Sequence, residues 1–143
     1  MKLAIIHPYL KEPIIEKDRQ SVSINELNRI PFSSCTSIYV ADTLDFIKVN
    51  DRMNAMSQAI SKLRYGGIII FRGLDLMEVS RLVFSKEIDV GMAQQALYNN
   101  RQSSESLSGM LSQLKEMGLE LVSSYIDNMF YQVEARRPNA QQE

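Results

Sequence analysis

The sequence predicts an α/β protein with a doubly wound, mostly parallel sheet that ends in an antiparallel hairpin. Two strand-like segments, 37–41 and 66–71, enclose an amphipathic helix at 51–64. A unit of this kind forms two parallel strands joined by a right-handed crossover. Two more strand-like segments close the chain. Between them stand Asp127 and Asn128, which tolerate left-handed backbone angles and therefore favour a two-residue turn.

Local patterns predict the remaining elements. Residues 3–7 form an apolar strand that ends before Pro8, because proline has no N–H for a strand ladder. Two weaker strands are expected at 13–17 and 21–24. Further helices are expected at 75–85, 87–99 and 104–117, and the closing strands at 119–126 and 129–136.

The apolar positions indicate which faces are buried. The helix at 51–64 has a stripe of side chains at spacings of three and four, which should face the core. These residues are Met53, Met56, Ile60 and Leu63. The strand at 66–71 has apolar side chains on both faces, which is typical of a strand that is covered on both sides.

Length, charge and cysteine content restrict the function classes. The 143 residues fit one domain, expected at 1–137, with a disordered tail at 138–143. Sixteen basic residues against seventeen acidic ones argue against a nucleic-acid binder. The apolar run at 3–6 is too short for a signal peptide or a membrane span, and the lone Cys35 indicates a reducing, cytoplasmic environment. With one histidine and one cysteine, no metal site is expected.

Four strings carry a family resemblance. ELNRIPF at 26–32 precedes the strand at 37–41, and DTLDFI follows that strand at 42–47. LRYGGIII at 63–70 leads into the most apolar strand, and a helix, Gly118 and two strands end the chain. In this order the strings resemble class I S-adenosylmethionine-dependent methyltransferases, particularly the short, compact predicted members. The resemblance covers nearly the whole chain and implies a Rossmann-like sheet with S-adenosylmethionine as the cofactor.

The first strand departs from the family pattern. The resemblance implies a Gly-x-Gly loop after this strand, where the bare backbone approaches the cofactor closely. Residues 3–10, LAIIHPYL, contain no glycine, and no glycine precedes Gly66. We therefore expect a methyltransferase-like protein with a degenerate cofactor site. Such a protein would be non-catalytic or weakly active and would serve as an interaction or scaffold partner of a protein that the sequence does not name.

Two alternatives remain open. An active methyltransferase with an unusual cofactor loop would act on a small-molecule or sugar acceptor. An unrelated α/β binding module is the other alternative. In each case the exposed edge strand of such a sheet also favours pairing with a second copy of the chain.

Five residues are candidates for the cofactor site, and no catalytic residue is identified. His7 ends the first strand, where doubly wound folds bind ligands, and it serves either as a general base or as a structural residue. The resemblance implies that Glu16 or Asp18 accepts hydrogen bonds from ribose hydroxyls and that Glu26 faces the adenine amino group. The alternative for all three is an exposed charge. Asp42 either contacts the ligand or caps a helix.

Overall fold

The computed structural model describes residues 1–9 and 16–139, which form one mixed sheet of six strands in the order β2-β1-β3-β4-β6-β5. The strands are β1 Lys2–Ile6, β2 Gln20–Ser23, β3 Cys35–Ala41, β4 Leu63–Leu74, β5 Glu120–Asp127 and β6 Phe130–Arg136. Strands β1 to β4 run parallel, whereas β6 is antiparallel to both β4 and β5. The predicted fold class, a mostly parallel sheet with a terminal antiparallel hairpin, is confirmed.

Four α-helices flank this sheet in the described part of the chain. They are α1 Arg52–Lys62, α2 Leu76–Phe84, α3 Val90–Tyr98 and α4 Leu107–Glu116, and three short 3-10 helices lie at Ile24–Arg29, Thr43–Phe46 and Val49–Asp51. Each predicted helix is present with shorter ends. The hydroxyl of Ser106 caps α4 by accepting the Gly109 N–H, and Gly118 has the expected positive φ after that helix.

One face of the sheet carries the main core. Alternate side chains of the central strands are fully buried there against α1 and α4. They include Leu3, Ile5, Ile38, Ile69, Phe71, Val133 and Ala135. A smaller core joins α2 and α3 to Leu74 and Phe130, at the end of β4 and the start of β6.

The opposite face is only partly covered. Ile68 and Ile70 alternate with the buried Ile69 and Phe71, but they are half-buried and belong to neither core. We call this surface the open face and define it by Tyr39, Ile68, Ile70, Arg72, Gln132 and Glu134. The expectation that the strand at 66–71 is covered on both sides is therefore wrong for this face, at least among the described residues.

The buried side of α1 also differs from the predicted stripe. Met56 is fully buried, but Met53 is 39% exposed, and Arg52 and Lys62 are buried in its place. The helix is rotated relative to its apolar stripe because Arg52 binds a buried carboxylate, which is described below. Periodicity alone assigns a charged residue to the solvent and so misses this rotation.

The predicted strand at 21–24 and the predicted hairpin turn are each shifted by one residue. The partner of β1 is Gln20–Ser23, close to the predicted strand at 21–24. The other predicted strand, 13–17, lies mainly outside the described residues, and Glu16 and Lys17 are not in a strand. The hairpin turn consists of Asn128 and Met129 rather than Asp127 and Asn128, and Asn128 alone of the three has a positive φ, 56°.

Asp75 is expected to stabilise the fold more than an ordinary helix cap does. Its buried carboxylate accepts the Glu78 N–H at the start of α2 and the Leu107 N–H at the start of α4, both at 2.8 Å. Asp75→Ala should lower the free energy of unfolding by about 2–4 kcal/mol, because a cap is lost and a buried donor is left unpaired. Chemical denaturation measures this loss.

Asp89→Ala is the matched control for that substitution. Asp89 caps α3 through one bond to the Met92 N–H at an exposed site, so its loss should cost only about 1 kcal/mol. Equal losses for the two variants would contradict the bridging role of Asp75.

Candidate functional site

The topology places a switch point at the carboxyl ends of β1 and β3. These two strands are neighbours, but β1 leads to β2 on one side whereas β3 leads to β4 on the other. Doubly wound sheets bind their ligands at this kind of switch point. Thr43, fully buried just after β3, donates its hydroxyl hydrogen to the Ile5 carbonyl at 2.8 Å and joins the two strand ends.

Aromatic rings lie at this switch point. The His7 ring stacks on the Phe46 ring with centroids 5.4 Å apart and planes 25° apart. Tyr9 packs against His7, with their ring centroids 5.3 Å apart. Phe46 is buried and also lies under the Arg101 guanidinium, 5.5 Å from the ring centroid. The rings form a stack across the strand ends.

His7 is held as a neutral imidazole in this stack. Its Nδ1 accepts the Tyr9 N–H at 3.1 Å, so this nitrogen carries no proton. Partial burial lowers the pKa of His7 below its usual 6.5, because the cation loses hydration beside the rings. The structure therefore places His7 at the predicted edge, in a form that packs and accepts a hydrogen bond.

Asp45 is the centre of a buried ionic network beside the stack. Its carboxylate is fully buried and accepts the Leu74 N–H at 2.8 Å, the Arg101 Nε–H at 3.1 Å and an Arg52 Nη1–H at 3.4 Å. Burial raises the pKa of Asp45, and the Leu74 amide and the two guanidiniums oppose that shift. Its carbonyl also accepts the N–H groups of Gln102 and Ser103.

Asp42 forms a second ion pair, toward the open face. Its backbone is left-handed, with a φ of 54°, and its Oδ2 accepts from Arg72. The Arg72 guanidinium lies 4.0 Å above the Phe130 ring. Burial raises the pKa of Asp42, and Arg72 lowers it in part. Asp42 stands at the N-cap of the 3-10 helix Thr43–Phe46 but makes no side-chain cap bond, so the predicted cap is not formed.

Tyr131 and Asp45 both pack against Gly73. A Cβ atom on Gly73 would lie 2.6 Å from the Tyr131 hydroxyl oxygen and 3.0 Å from Asp45 Oδ1, so a larger residue does not fit there. Within the described residues, the Tyr131 hydroxyl, Arg52 Nε and Asp42 Oδ1 have no hydrogen-bond partner. Burial raises the pKa of Tyr131, which remains a neutral phenol.

The other predicted site residues lie apart from this cluster. Glu26 follows β2 in the 3-10 helix Ile24–Arg29, half-exposed and 3.5 Å from Arg29. Asp18 precedes β2 and pairs at 2.8 Å with Lys2, at the amino end of β1. Glu16 is exposed and pairs with Arg19. Asp18 therefore lies at the amino ends of the strands, whereas His7 lies at the carboxyl end of β1.

Sequence reasoning missed the basic half of the network. Arg52 and Arg101 meet Asp45 across sequence separations of 7 and 56 residues, and no local pattern links them. The available signal was Asp45 itself, an acidic residue in an otherwise apolar string between Leu44 and Phe46. A carboxylate among apolar side chains indicates that basic partners are buried with it.

Solved structures with the same architecture are known. Residues of this chain superpose on an O-methyltransferase family protein from Burkholderia thailandensis with a TM-score of 0.62, at 9% identity over 86% of this chain and 37% of that chain. A chain of the complex between the Haloferax volcanii Trm112 methyltransferase activator and the putative methyltransferase gives 0.60, at 9% identity over 91% and 66%. The chain has a class I methyltransferase-like fold.

A third neighbour carries a bound ligand. The 1,6-didemethyltoxoflavin-N1-methyltransferase of Burkholderia thailandensis, solved with bound 1,6-didemethyltoxoflavin and S-adenosylhomocysteine, gives a TM-score of 0.58 at 10% identity over 85% of this chain and 52% of that chain. The chain spans between about a third and two thirds of the length of these neighbours. Neither protein-family models nor curated proteins match the sequence.

Residues 1–9 and 16–139 contain neither a membrane-spanning helix nor a cluster of metal-ligating side chains. No helix there has the length and apolarity needed to cross a membrane. In the same residues, histidine, cysteine and carboxylate side chains form no group of three or more that could hold a metal ion.

Replacing Asp45 should destabilise the protein strongly. Asp45→Asn keeps the shape of the side chain but leaves the buried guanidiniums of Arg52 and Arg101 without a counter-charge, at a cost of about 3–5 kcal/mol. Urea denaturation checks this value. Asp18→Asn removes an exposed ion pair with Lys2 and should change stability little; a similar small effect at Asp45 would contradict the network.

His7 should titrate below its usual range. Because it is the only histidine, its imidazole gives one resonance set in an NMR pH titration, and we expect a folded pKa below 6.5. The unfolded chain then binds the proton first as the pH falls. Stability should therefore decline from about pH 7 until folded His7 is protonated too. In urea the pKa should return to about 6.5; a folded value at or above this one would contradict the packing.

Proposed function

We propose that this chain is a methyltransferase-fold protein that no longer transfers methyl groups and acts through contact with another protein chain. The observation that carries the proposal is the stack of His7 on Phe46 between the ends of β1 and β3. In the family that the sequence resembles, a glycine loop leaves this space to the amino-acid end of the cofactor. In this chain the rings of His7 and Phe46, together with Pro8, lie beside that space.

The carboxylates support the same conclusion. S-adenosylmethionine needs acceptors for its ammonium group and its ribose hydroxyls. Asp45 accepts instead from Leu74, Arg52 and Arg101, and Asp42 is paired with Arg72. These residues do not fit the cofactor as they stand, and we derive no catalytic step through it.

Glu16 and Asp18, proposed as ribose ligands, are also poorly placed. Both precede β2, and Asp18 is bound to Lys2 at the amino end of the sheet. Glu26 is the candidate that follows β2, and with His7 and Asp42 it belongs to the carboxyl side of the sheet. Of the five candidates, we therefore retain these three as the first residues to replace if the cofactor does bind.

An active methyltransferase acting on a small molecule or sugar is the second candidate function. Asp42 Oδ1 favours it, because this buried oxygen has no partner among the described residues and could accept from a ligand. A neighbour of the same fold holds S-adenosylhomocysteine. The resemblance implies that the cofactor needs the space after β1, so we propose that its binding there would require the His7 ring to move away from Phe46.

A protein partner agrees with one of the structural neighbours, in which a putative methyltransferase is assembled with the Trm112 activator. We propose the cytoplasm as the location, because the single cysteine, Cys35, is unpaired and fully buried. The balanced charge of the chain gives no reason to propose a nucleic acid as the partner.

Calorimetric titration with S-adenosylmethionine and S-adenosylhomocysteine tests the proposal. We expect no binding heat and no thermal stabilisation at about 1 mM ligand, a concentration that would raise stability clearly if Kd were about 10 μM. The Burkholderia thailandensis enzyme solved with S-adenosylhomocysteine is the positive control. Micromolar binding that is lost in Asp42→Asn or Glu26→Gln would overturn the proposal in favour of the active enzyme.

A further inference from the structure

We propose that a groove at the amino end of β4 binds an acidic segment of a partner protein, with one apolar side chain in the groove and carboxylates on the cations at its rim. The groove lies at the end of the sheet opposite to His7 and Asp45. The inference rests on the interaction role proposed above. Peptide binding and cofactor binding are measured separately, so either proposal can fail without the other.

Lys62 is a buried cation without a counter-ion. It ends α1 and is only 7% exposed, yet it forms no ion pair with any described carboxylate. Its ammonium nitrogen lies 4.1 Å from the centroid of the Phe32 ring, and this ring is 74% exposed. Because buried charges in proteins are ordinarily paired, the cation indicates an anionic partner that approaches beside the Phe32 ring.

Arg137 provides a second cation beside the same loop. Its Nη1 donates to the Leu63 carbonyl and lies 3.5 Å from the Oγ of Ser33, the residue after Phe32. Its guanidinium carbon lies 4.2 Å from the centroid of the Tyr65 ring, which is half-exposed. Among the described residues it has no carboxylate partner either. The two cations therefore contact neighbouring residues of one loop, and each lies against an exposed aromatic ring.

Tyr65 and Arg137 also border a groove of about 370 Å³. Its other walls are the end of α1 and the segment that joins α4 to β5, which contribute Ile60, Met117 and Leu119. We call it the amino-end groove and define it by these five residues. Ligand pockets in proteins span about 300–1,000 Å³, so this groove is large enough for an apolar side chain and the short stretch of chain that carries it.

The charges around the amino-end groove indicate how a segment lies in it. Glu116 and Glu120 flank the α4–β5 wall in the chain and repel carboxylates there. Arg136 lies opposite Glu120 in the β5–β6 ladder, so it does not count as a free cation. The carboxylates of a bound segment therefore belong at Lys62 and Arg137, and its apolar side chain lies against the α4–β5 wall.

An acidic protein segment fits these features better than a nucleic acid does. A single-stranded nucleic acid needs a groove of cations that follows its backbone. Two cations beside an apolar groove instead match a few carboxylates around one apolar anchor. The net charge of −1 likewise provides no long-range attraction for a polyanion. The partner is therefore a protein with an exposed acidic segment that contains a large apolar residue.

Selection from a random peptide library displayed on phage tests the proposal without knowledge of the partner. We expect the wild-type protein to enrich sequences in which acidic residues adjoin one large apolar residue. Synthetic copies of these peptides, labelled with fluorescein, should bind with a Kd of about 1–100 μM, and added salt should weaken the binding. Enrichment of basic or uncharged sequences, or of none, would overturn the proposal.

Charge reversal at the rim assigns the binding to the amino-end groove. Arg137→Glu should raise the Kd of the enriched peptides by at least about tenfold, because it places like charges together. Lys48→Glu is the matched control. It makes the same reversal at an exposed site before the other end of α1, more than a Debye length of about 10 Å away, and should change the Kd by less than about twofold.

Tyr65→Ala provides a second test, because Arg137→Glu also loses its bond to Leu63 and must be shown to fold by circular dichroism. This substitution removes an exposed ring from the groove without a change of charge, and it should raise the Kd by about threefold or more. Full affinity in both groove variants, or equal weakening in Lys48→Glu, would overturn the proposal. Displacement of the peptides by a lower concentration of a thymidine oligonucleotide would also overturn it, in favour of a nucleic-acid site.

Discussion

The carboxylate of Asp45 is the interaction on which the site end of the molecule depends. It joins the turn after β3 to the last residue of β4 through the Leu74 amide, to α1 through Arg52 and to the segment before α4 through Arg101. A buried ion of this kind is tolerated only when several donors replace its lost hydration. The requirement fixes α1 with Arg52 turned inward, and so determines which residues of that helix reach the core.

The same network bears on the loss of function that we propose. In a ligand site, carboxylates at a switch point are held ready for an outside partner. Here Asp45 and Asp42 receive their donors from the chain itself, and the rings of His7 and Phe46 pack beside them. A fold can keep its architecture after it loses a ligand site, because the polar side chains that would bind the ligand can form ion pairs and hydrogen bonds within the protein instead.

Much of the fold could be predicted from local sequence. The unit β3-α1-β4 and the closing hairpin follow from periodicity and turn residues that lie close together in the chain. What could not be predicted depends on distant pairs: the burial of Arg52, the meeting of His7 with Phe46, and the exposure of one side of Ile68 and Ile70. An apolar strand indicates burial on both faces, but the sequence of one strand does not show whether another element covers it. Of the five candidate residues, His7 and Asp42 lie at the switch point, whereas Glu16 and Asp18 precede β2 and Glu26 lies in the 3-10 helix that follows it.

Gly73 imposes a restriction on how this sequence can drift. The Tyr131 hydroxyl and Asp45 close over its α-carbon so tightly that a methyl group has no room. A substitution at position 73 is acceptable only after Tyr131 has become smaller, and a smaller residue there would open a void under the ionic network. A larger residue at position 73 therefore depends on a prior change at Tyr131, whereas Gly73 itself accommodates either size of residue at 131.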